Sequence, residues 1–308
     1  MHDAHPQISV VLPTHNRARL LPRAIASVLA QTFGDLELIV VDDASTDETP
    51  SLVAGLRDPR VRPLRLERQA GASAARNAGI DAARAPLIAF MDSDDRWHAD
   101  KLARQIARVL DAGPDVGLCV CSMEVHRAGR THAVRYRDQE LSPAAAVALL
   151  VAGTGMGTPC WLARRDLLRS AGGFNAALPR MQDYECALRL AQRAPVLLMS
   201  DVLVTAEIGA DSLSASADGY ARAIDMIVRD HRDLFDANRA GQSRMIFRAG
   251  KYFALEGRAR EARQWFRRAL RVQPGNARAL AGLILSSTGL FPLLRRIRYR
   301  GGMARPAS

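Results

Sequence analysis

The chain has 308 residues, 48% hydrophobic and 24% charged, with a net charge of +11. This composition is typical of a globular protein that buries a substantial core. The polar N-terminus, MHDAHPQ, argues against a signal peptide, and the apolar run 144–153 is too short to span a bilayer. We therefore expect a soluble or peripherally bound protein.

The four cysteines include no C-x-x-C pair. Cys119 and Cys121 would lie on the same face of a strand, which favours small core residues over a zinc site. We expect these thiols to be reduced, in a cytosolic setting.

The first half of the chain alternates strand-like and helix-like segments. The predicted strands are 8–12, 36–41, 61–66 and 87–91, and the predicted helices are 17–31, 45–56, 71–84 and 98–113. Ser45 and Glu48 match a capping box, and Ser73 is the predicted cap of the third helix. Strand–helix alternation predicts a mostly parallel sheet that is covered on both faces.

The second half has a mixed pattern. Strands are predicted near 116–125, 159–164 and 196–204, and helices near 143–152, 166–171 and 181–194. The glycine-rich stretch 153–159 is consistent with a mobile loop. From about residue 215 the chain reads as helical, with a hairpin at 249–280 in which Gly257 forms the turn and Pro274 ends the second helix.

Three groups of polar residues follow predicted strands. They are Pro13–Arg17, Asp42–Asp43 and Asp92–Asp95. Ligands of such sheets bind beyond the carboxyl ends of the strands, so these groups are expected to line one crevice. Asp92 and Asp94 can hold a divalent cation and leave positions open for phosphate oxygens, whereas Asp95 is expected to start the next helix. The alternative for the whole acidic stretch is a turn and a helix cap.

Two further positions favour a nucleotide ligand. Asp43 can accept a hydrogen bond from a base N–H or a ribose hydroxyl, and Arg76 can pair with a diphosphate. The alternatives are a turn for Asp43 and a solvated arginine for Arg76. The sequence contains no G-x-G-x-x-G and no G-x-x-x-x-G-K-[ST] motif, which argues against a dinucleotide fingerprint and a P-loop.

The segments 10–49, 71–95 and 171–194, with LPTHNR, VVDD, DSD and AGGFN among their motifs, resemble the family 2 glycosyltransferases with the GT-A fold. The resemblance implies an α/β nucleotide-diphospho-sugar transferase fold, a Rossmann-like mixed sheet flanked by helices, over residues 1–215. Residues 216–308 would form an all-helical extension. This extension contains one tetratricopeptide-like hairpin, at about 244–280, and a basic tail. A single repeat cannot bury its own faces, so it must pack on another part of the chain or on a partner.

The resemblance also assigns roles to individual residues. It implies nucleotide binding by Pro13, Thr14, Asn16, Arg17, Asp43, Arg76, Asp92 and Ser93. It implies Asp94, together with Asp92, as the ligands of Mg²⁺ or Mn²⁺, with Asp94 preferred as the direct ligand. Asp183 matches the catalytic base, although Gln182 stands where the family has Glu, which removes a charge beside that base.

The implied activity is inverting transfer of a single sugar from a nucleotide-sugar donor, UDP-linked in preference to GDP or dTDP. The acceptor would be a glycan or a lipid-linked sugar in bacterial surface polysaccharide synthesis, at the cytoplasmic face of the membrane. The Q-x-x-R-W motif of processive members is absent. The basic segment 289–308 fits a membrane surface, or alternatively a packed helix with a disordered tail. No nucleic-acid partner is expected, and the oligomeric state is left open.

Two other functions compete with this interpretation. One is a catalytically inactive scaffold that binds partners through its helical C-terminus. The other is a sugar nucleotidyltransferase, which would need a glycine-rich phosphate loop after the first strand. The sequence LPTHNRA has no glycine at that place.

Overall fold

The computed structural model describes residues 6–127, 129–208 and 216–287. These residues form two compact units. The first, the sheet unit, contains the chain up to residue 147, residues 155–177, and the chain from 182 to the end of the last strand. The second, the helical unit, contains residues 148–154, residues 178–181 and the helices that follow residue 216. The predicted boundary at residue 215 lies outside the described residues and stays a prediction.

The strands of the described residues alternate with helices in the first half of the chain, as predicted. The strands are β1 (Ile8–Thr14), β2 (Leu36–Asp42), β3 (Val61–Arg65), β4 (Leu87–Phe90), β5 (Arg96–Trp97), β6 (Leu118–Arg127), β7 (Arg130–Val134), β8 (Gln139–Leu141), β9 (Trp161–Arg164) and β10 (Val196–Ile208). The helices interspersed with them are α1 (Leu21–Leu29), α2 (Thr49–Ala54), α3 (Ala72–Ala82), α4 (Lys101–Ala112), α5 (Pro143–Val151), α6 (Arg165–Ser170) and α7 (Gln182–Ala191).

The sheet is mixed, in the order β3-β2-β1-β4-β9-β6-β10-β5, with β7 paired to β6 and β8 to β10. Strands β1 to β4 are mutually parallel, whereas β9 runs antiparallel to both β4 and β6. The register places Thr14 beside Asp42, and Val11 beside Phe90. The carboxyl ends of β1, β2 and β4 therefore meet at one edge of the sheet.

Full burial of the central strands explains why they read as continuous apolar runs. All residues of β1, β2 and β4 are buried, which is typical of parallel strands covered on both faces. Strand β3, which contains Pro63, lies at an edge of the described sheet, because it pairs only with β2. The short strands β5, β7 and β8 were not predicted, because their sequences, RW, RTHAV and QEL, contain no continuous apolar run.

The cysteines are buried free thiols, as expected for core residues. An aromatic cluster fills the sheet unit below the carboxyl edge. Phe90 packs edge-on against Trp161 and Phe174, with ring centroids 6.1 and 5.2 Å apart, and Trp161 stacks on Phe174 at 5.9 Å. These rings form a rigid floor beneath the ends of β4 and β9.

The helical unit contains α8 (Ala217–Asp230), α9 (Arg232–Ala237), α10 (Arg239–Leu255), α11 (Ala259–Val272) and α12 (Ala277–Ser287). Gly257, with a φ of 82°, lies in the turn between α10 and α11, as predicted. Phe266 is buried where Gly250 of α10 and Gly282 of α12 leave room for its ring. Helix α12 thus covers the predicted hairpin. The basic segment 289–308 lies outside the described residues.

No helix of the described ranges combines the length and the apolar character that a membrane span requires.

Candidate active site

The residues predicted to contact the nucleotide lie at the end of β1, which contains Pro13 and Thr14, and in the loop that follows it, which contains Asn16 and Arg17. Asn16 has a φ of 51°, a left-handed conformation that asparagine adopts more readily than most residues. Its backbone N–H donates to Ser45 Oγ at 2.9 Å, and its Oδ1 accepts from the Thr46 N–H at 2.8 Å. The hydroxyl of Thr14 is buried and has no hydrogen-bond partner among the described residues. These contacts hold the loops after β1 and β2 together at the carboxyl edge.

The predicted capping box of Ser45 and Glu48 is wrong. Helix α2 begins at Thr49, and no side chain caps it. Ser45 instead accepts from the loop after β1, and its own N–H donates to Asp42 Oδ1 at 3.0 Å. The physical reason is that a tertiary contact from Asn16 outcompetes the local helix cap for the same hydroxyl.

Asp42 and Asp43 at the end of β2 have different partners. Asp42 pairs with Arg65 of the neighbouring strand, with Nη1 and Oδ2 2.8 Å apart. The two carboxylate oxygens of Asp43 accept from the backbone N–H groups of Ala70 and Gly71, at 2.7 and 2.8 Å. Asp43 therefore fixes the loop that enters α3. A carboxylate oxygen has more than one acceptor position, so Asp43 can still receive a hydrogen bond from a ligand.

Helix α3 begins after Gly71, whose φ of 88° is accessible to glycine. The predicted cap is wrong: Ser73 lies inside the first turn, and its buried hydroxyl has no partner among the described residues. The conformation of Gly71 places the cap position two residues earlier than the sequence pattern suggested.

Arg76 of α3 points to the end of β4. Its Nη2 donates to Asp92 Oδ1 at 2.5 Å, and its guanidinium lies 5.5 Å from the centroid of the Phe174 ring. The Arg76 side chain is only 11% exposed, and its Nε has no hydrogen-bond partner among the described residues. The structure therefore brings together two residues, Arg76 and Asp92, that the sequence placed on separate elements.

Asn77 was not predicted, yet it holds the loop on which Phe174 lies. Its Nδ2 donates to the Phe174 carbonyl at 2.8 Å, and its Oδ1 accepts from the Phe174 N–H at 2.7 Å. This pair of bonds mimics one rung of a β-ladder and fixes the ring against the Arg76 guanidinium. The position of Asn77 directly after Arg76 was the only sequence signal.

The acidic turn after β4 contains Asp92, Ser93, Asp94 and Asp95. Burial raises the pKa of Asp94, and the charge of Asp92 raises it further. Arg17, from the loop after β1, lies within electrostatic range of Asp94 and partly offsets these effects. Ser93 is buried between the two aspartates.

The expectation that Asp95 starts the next helix is wrong. The strand β5 follows at Arg96, and α4 begins only at Lys101. Asp95 is buried, and burial together with the charges of Asp92 and Asp94 raises its pKa well above the ordinary value. The turn is closed by the Asp95 N–H, which donates to the Asp92 carbonyl at 3.1 Å. The backbone of Glu207 in β10 partly offsets this rise in the pKa of Asp95.

The donor set of this turn fits a hard divalent cation. Three neighbouring carboxyl groups disfavour each other's ionised forms, and a bound cation would remove that penalty. Among the described residues, no three Asp, Glu, His or Cys side chains are placed to hold a metal by themselves. Mg²⁺ commonly takes one or two carboxylates and completes its shell with water and substrate phosphates, so Asp92 and Asp94 match that pattern.

Asp183 lies in the first turn of α7, where its Oδ1 accepts from the Tyr184 N–H at 2.7 Å. Burial raises its pKa, and this rise is partly offset by the Tyr184 N–H and by Arg76. The charge of Asp92 also contributes to the rise. Asp183 therefore lies within electrostatic range of the Arg76–Asp92 pair, at the same edge of the sheet.

The sequence suggested a mobile loop for the glycine-rich stretch 153–159. Side chains form hydrogen bonds with the backbone of its second half. Four carbonyl groups between Gly155 and Cys160 accept hydrogen bonds at 2.7 to 3.2 Å. The donors, in the order of the carbonyls, are Tyr136, Trp161, Trp97 and Gln105. Tyr136, Trp97 and Gln105 come from distant segments, which is why the local composition gave no indication of this order.

Comparisons with known proteins identify the family to which this chain belongs. A model described as glycosyl transferase family 2 matches residues 9–171, more than half of the chain. The succinoglycan biosynthesis protein ExoO of Rhizobium meliloti is 47% identical over 116 residues, which cover 38% of this chain and 33% of ExoO. The glucosyltransferase WfgD of Escherichia coli is 41% identical over 103 residues, which cover 33% of this chain and 41% of WfgD. The chain therefore matches less than half the length of either relative.

Solved structures share the fold at low sequence identity. The S. aureus TarS 1-349 structure in complex with UDP-GlcNAc has a TM-score of 0.70 at 20% identity, covering 94% of this chain and 92% of that one. The mannosyltransferase PcManGT from Pyrobaculum calidifontis, in complex with GDP-Man and Mn²⁺, has a TM-score of 0.63 at 20% identity, covering 96% and 83%. With its sheet unit in the GT-A fold and more than half of its length matched by the family model, the chain belongs to the family 2 glycosyltransferases.

Proposed function

We propose that the protein is an inverting, metal-dependent glycosyltransferase that moves one sugar from a UDP-sugar to a glycan or a lipid-linked acceptor. The pathway would be the synthesis of a bacterial surface polysaccharide. The observation that carries the proposal is the meeting of Arg76, Asp92, Asp94 and Asp183 at one edge of the sheet. An arginine, a pair of carboxylates and a separate buried carboxyl group are the parts that such a reaction needs.

Inversion is a single displacement at the anomeric carbon, so the acceptor hydroxyl must lose its proton as it attacks. Asp183 suits this task, because a raised pKa makes its carboxylate a stronger base. The Asp183 carboxylate would take the hydroxyl proton at an oxygen, while the Tyr184 N–H keeps the side chain oriented.

The departing nucleotide carries the developing negative charge. Arg76 is almost fully buried, and it can exchange its contact with Asp92 for a diphosphate oxygen without leaving the aromatic floor. A divalent cation on Asp92 and Asp94 would supply Lewis-acid stabilisation of that diphosphate. The nucleoside end of the donor would reach Asp43 and the segment Pro13–Arg17. The described hydrogen bonds hold this segment beside the end of β2.

The similar proteins support the choice of donor and acceptor. WfgD is named a UDP-Glc:alpha-D-GlcNAc-diphosphoundecaprenol glucosyltransferase, and TarS 1-349 has been solved with UDP and with UDP-GlcNAc. PcManGT has been solved with GDP-Man and Mn²⁺, so GDP is the main alternative to UDP as the nucleotide of the donor. A lipid-linked acceptor would place the protein at the cytoplasmic face of the membrane, with a peripheral contact through the basic C-terminal segment.

Isothermal titration calorimetry tests the proposal. UDP, GDP and dTDP are titrated into the full chain with Mn²⁺, and again with EDTA. We expect UDP to bind most tightly and Mn²⁺ to tighten binding. Failure of all three nucleotides to bind would refute the proposal and favour an inactive scaffold, whereas equal binding with Mn²⁺ and with EDTA would refute metal dependence alone.

A further inference from the structure

One polar stripe of helix α1 holds the segment that follows the acidic turn. Arg23, Ser27 and Gln31 recur every four residues, so they lie on the same side of this helix and its end. Ser27 Oγ accepts from the Trp97 N–H at 3.3 Å. Gln31 donates to the His98 carbonyl at 2.7 Å, and its Oε1 accepts from the N–H of the second residue of α4 at 3.0 Å. The stripe therefore fixes the backbone from β5 to the start of α4.

Arg23 extends this stripe to the acidic turn itself. Its Nη2 donates to the Asp94 carbonyl at 2.7 Å, and its Nη1 pairs with Glu207 Oε1 at 3.0 Å. Glu207 lies in β10. The guanidinium of Arg23 therefore ties the turn to β10.

The contact of Arg23 with a backbone carbonyl gives it a role beyond charge. Because the planar guanidinium uses two nitrogens on two partners, it fixes the position of the Asp94 backbone relative to β10. The direction of the Asp94 Cα–Cβ bond follows from its backbone, so this bond also restricts the positions that the carboxylate can reach.

We propose that Arg23 is a positioning residue for the metal-binding turn: it holds Asp94 in the orientation that binds the divalent cation together with the diphosphate. This inference rests on the proposed function, because it assigns the cation to Asp92 and Asp94. Arg23 itself touches neither the nucleotide nor the cation in this assignment.

A purely electrostatic role for Arg23 predicts the opposite result. A cation beside two carboxylates weakens their affinity for a second cation, so loss of the charge at Arg23 would tighten Mn²⁺ binding. Loss of a positioning residue weakens it. Removing a group that orients a metal ligand costs about 10-fold to 100-fold in metal affinity.

The test compares Arg23→Gln, Arg23→Lys and the control Arg19→Gln by calorimetry of UDP with Mn²⁺ and with EDTA. Arg19 is exposed, and its replacement by Gln removes the same charge from the same region of the chain. We expect Arg23→Gln to reduce the affinity gained from Mn²⁺ by about 10-fold or more, with UDP binding in EDTA unchanged within about twofold. Arg23→Lys keeps the charge but loses the two-pronged contact, so it should lose part of the gain, and Arg19→Gln should keep all of it.

An Mn²⁺-dependent gain that is unchanged or larger in Arg23→Gln would overturn the inference. Amide hydrogen exchange of the unliganded protein gives a second readout that needs no nucleotide. Exchange at the Asp95 and Trp97 amides, which the turn and the stripe protect, should rise in Arg23→Gln and not in Arg19→Gln. If the wild type binds no nucleotide, the proposed function fails, and unchanged exchange in Arg23→Gln would then overturn the positioning role separately.

Discussion

Replacement of Asp183 by Asn tests the chemistry of the site most directly. The asparagine oxygen can still accept from the Tyr184 N–H, which lies 2.7 Å from Asp183 Oδ1, so the first turn of α7 should keep its structure. The variant loses the ability to take a proton. It also removes a negative charge beside Arg76 and Asp92, which should leave binding of an anionic nucleotide intact.

The size of the effect follows from the role of a positioned base. General base catalysis contributes about 10²-fold to 10⁴-fold, which corresponds to about 2.7 to 5.5 kcal/mol of transition-state stabilisation. We therefore expect kcat of Asp183→Asn to fall by at least about 10²-fold. The dissociation constant of UDP with Mn²⁺ should change by less than about threefold, since the base contacts the acceptor and not the nucleotide.

The assay measures UDP released from UDP-glucose and from UDP-N-acetylglucosamine in the presence of Mn²⁺. Asp166→Asn is a matched control, because Asp166 also lies in the first turn of a helix and accepts from the next N–H, at 2.8 Å. Wild-type turnover in the Asp183→Asn variant would refute the reasoning. An equal loss in the Asp166→Asn control would show that the effect arises from folding.

The pH dependence of kcat tests the role of Asp183 in a second way. Burial raises the pKa of Asp183, so the carboxylate becomes protonated at a higher pH than an ordinary aspartate, whose pKa is about 3.9. Since only the ionised form accepts a proton, kcat should fall as pH decreases through that raised value. The acid limb should be absent from the residual activity of Asp183→Asn, and its persistence would assign the limb to another group.

Three stability predictions follow from other contacts, each measured by urea denaturation. Asn77→Ala leaves the N–H and carbonyl of Phe174 without partners and should destabilise the protein by about 2 to 4 kcal/mol. Gly79→Ala places a methyl group 2.3 Å from Val11 Cγ1 in the core and should cost about 1 to 3 kcal/mol. Burial alone would raise the pKa of Glu37, but its hydrogen bonds lower it below the ordinary value, so its contribution is present above about pH 4.3 and is lost as pH falls through the lowered pKa. Glu37→Gln should cost about 1 to 3 kcal/mol at pH 7 and less at pH 3.

Each of these variants has a control in the same chain. Asn175→Ala removes one local bond at an exposed turn, and Gly34→Ala adds a methyl group with no atom within 4 Å. Glu140→Gln changes an exposed carboxylate. All three controls should change the free energy of unfolding by about 0.5 kcal/mol or less. A control that equals its partner, or a Glu37→Gln effect that grows at low pH, would contradict the corresponding assignment.

The sequence alone determined the class of fold and predicted the members of the candidate site. Buried strands leave continuous apolar runs and amphipathic helices leave a 3.6-residue period, so most elements and the parallel half of the sheet could be predicted. The rule that ligands bind at the carboxyl ends of strands was enough to bring together Thr14, Asp43 and Asp92. The role of Asp183 came from the resemblance to a family, because no local pattern distinguishes it from an ordinary acidic residue in the first turn of a helix.

Only the tertiary structure decided which partner each polar group takes. Ser45, Ser73 and Asp95 all matched helix-start patterns, but none of the three caps a helix, because contacts from distant segments or an unusual glycine conformation prevail over local capping. The stripe on α1 and the bonds of Asn77 to Phe174 join residues that are 67 or more positions apart in the chain, with the widest link between Arg23 and Glu207. Hydrogen bonds of this kind depend on distance and angle in space, which a one-dimensional pattern does not contain.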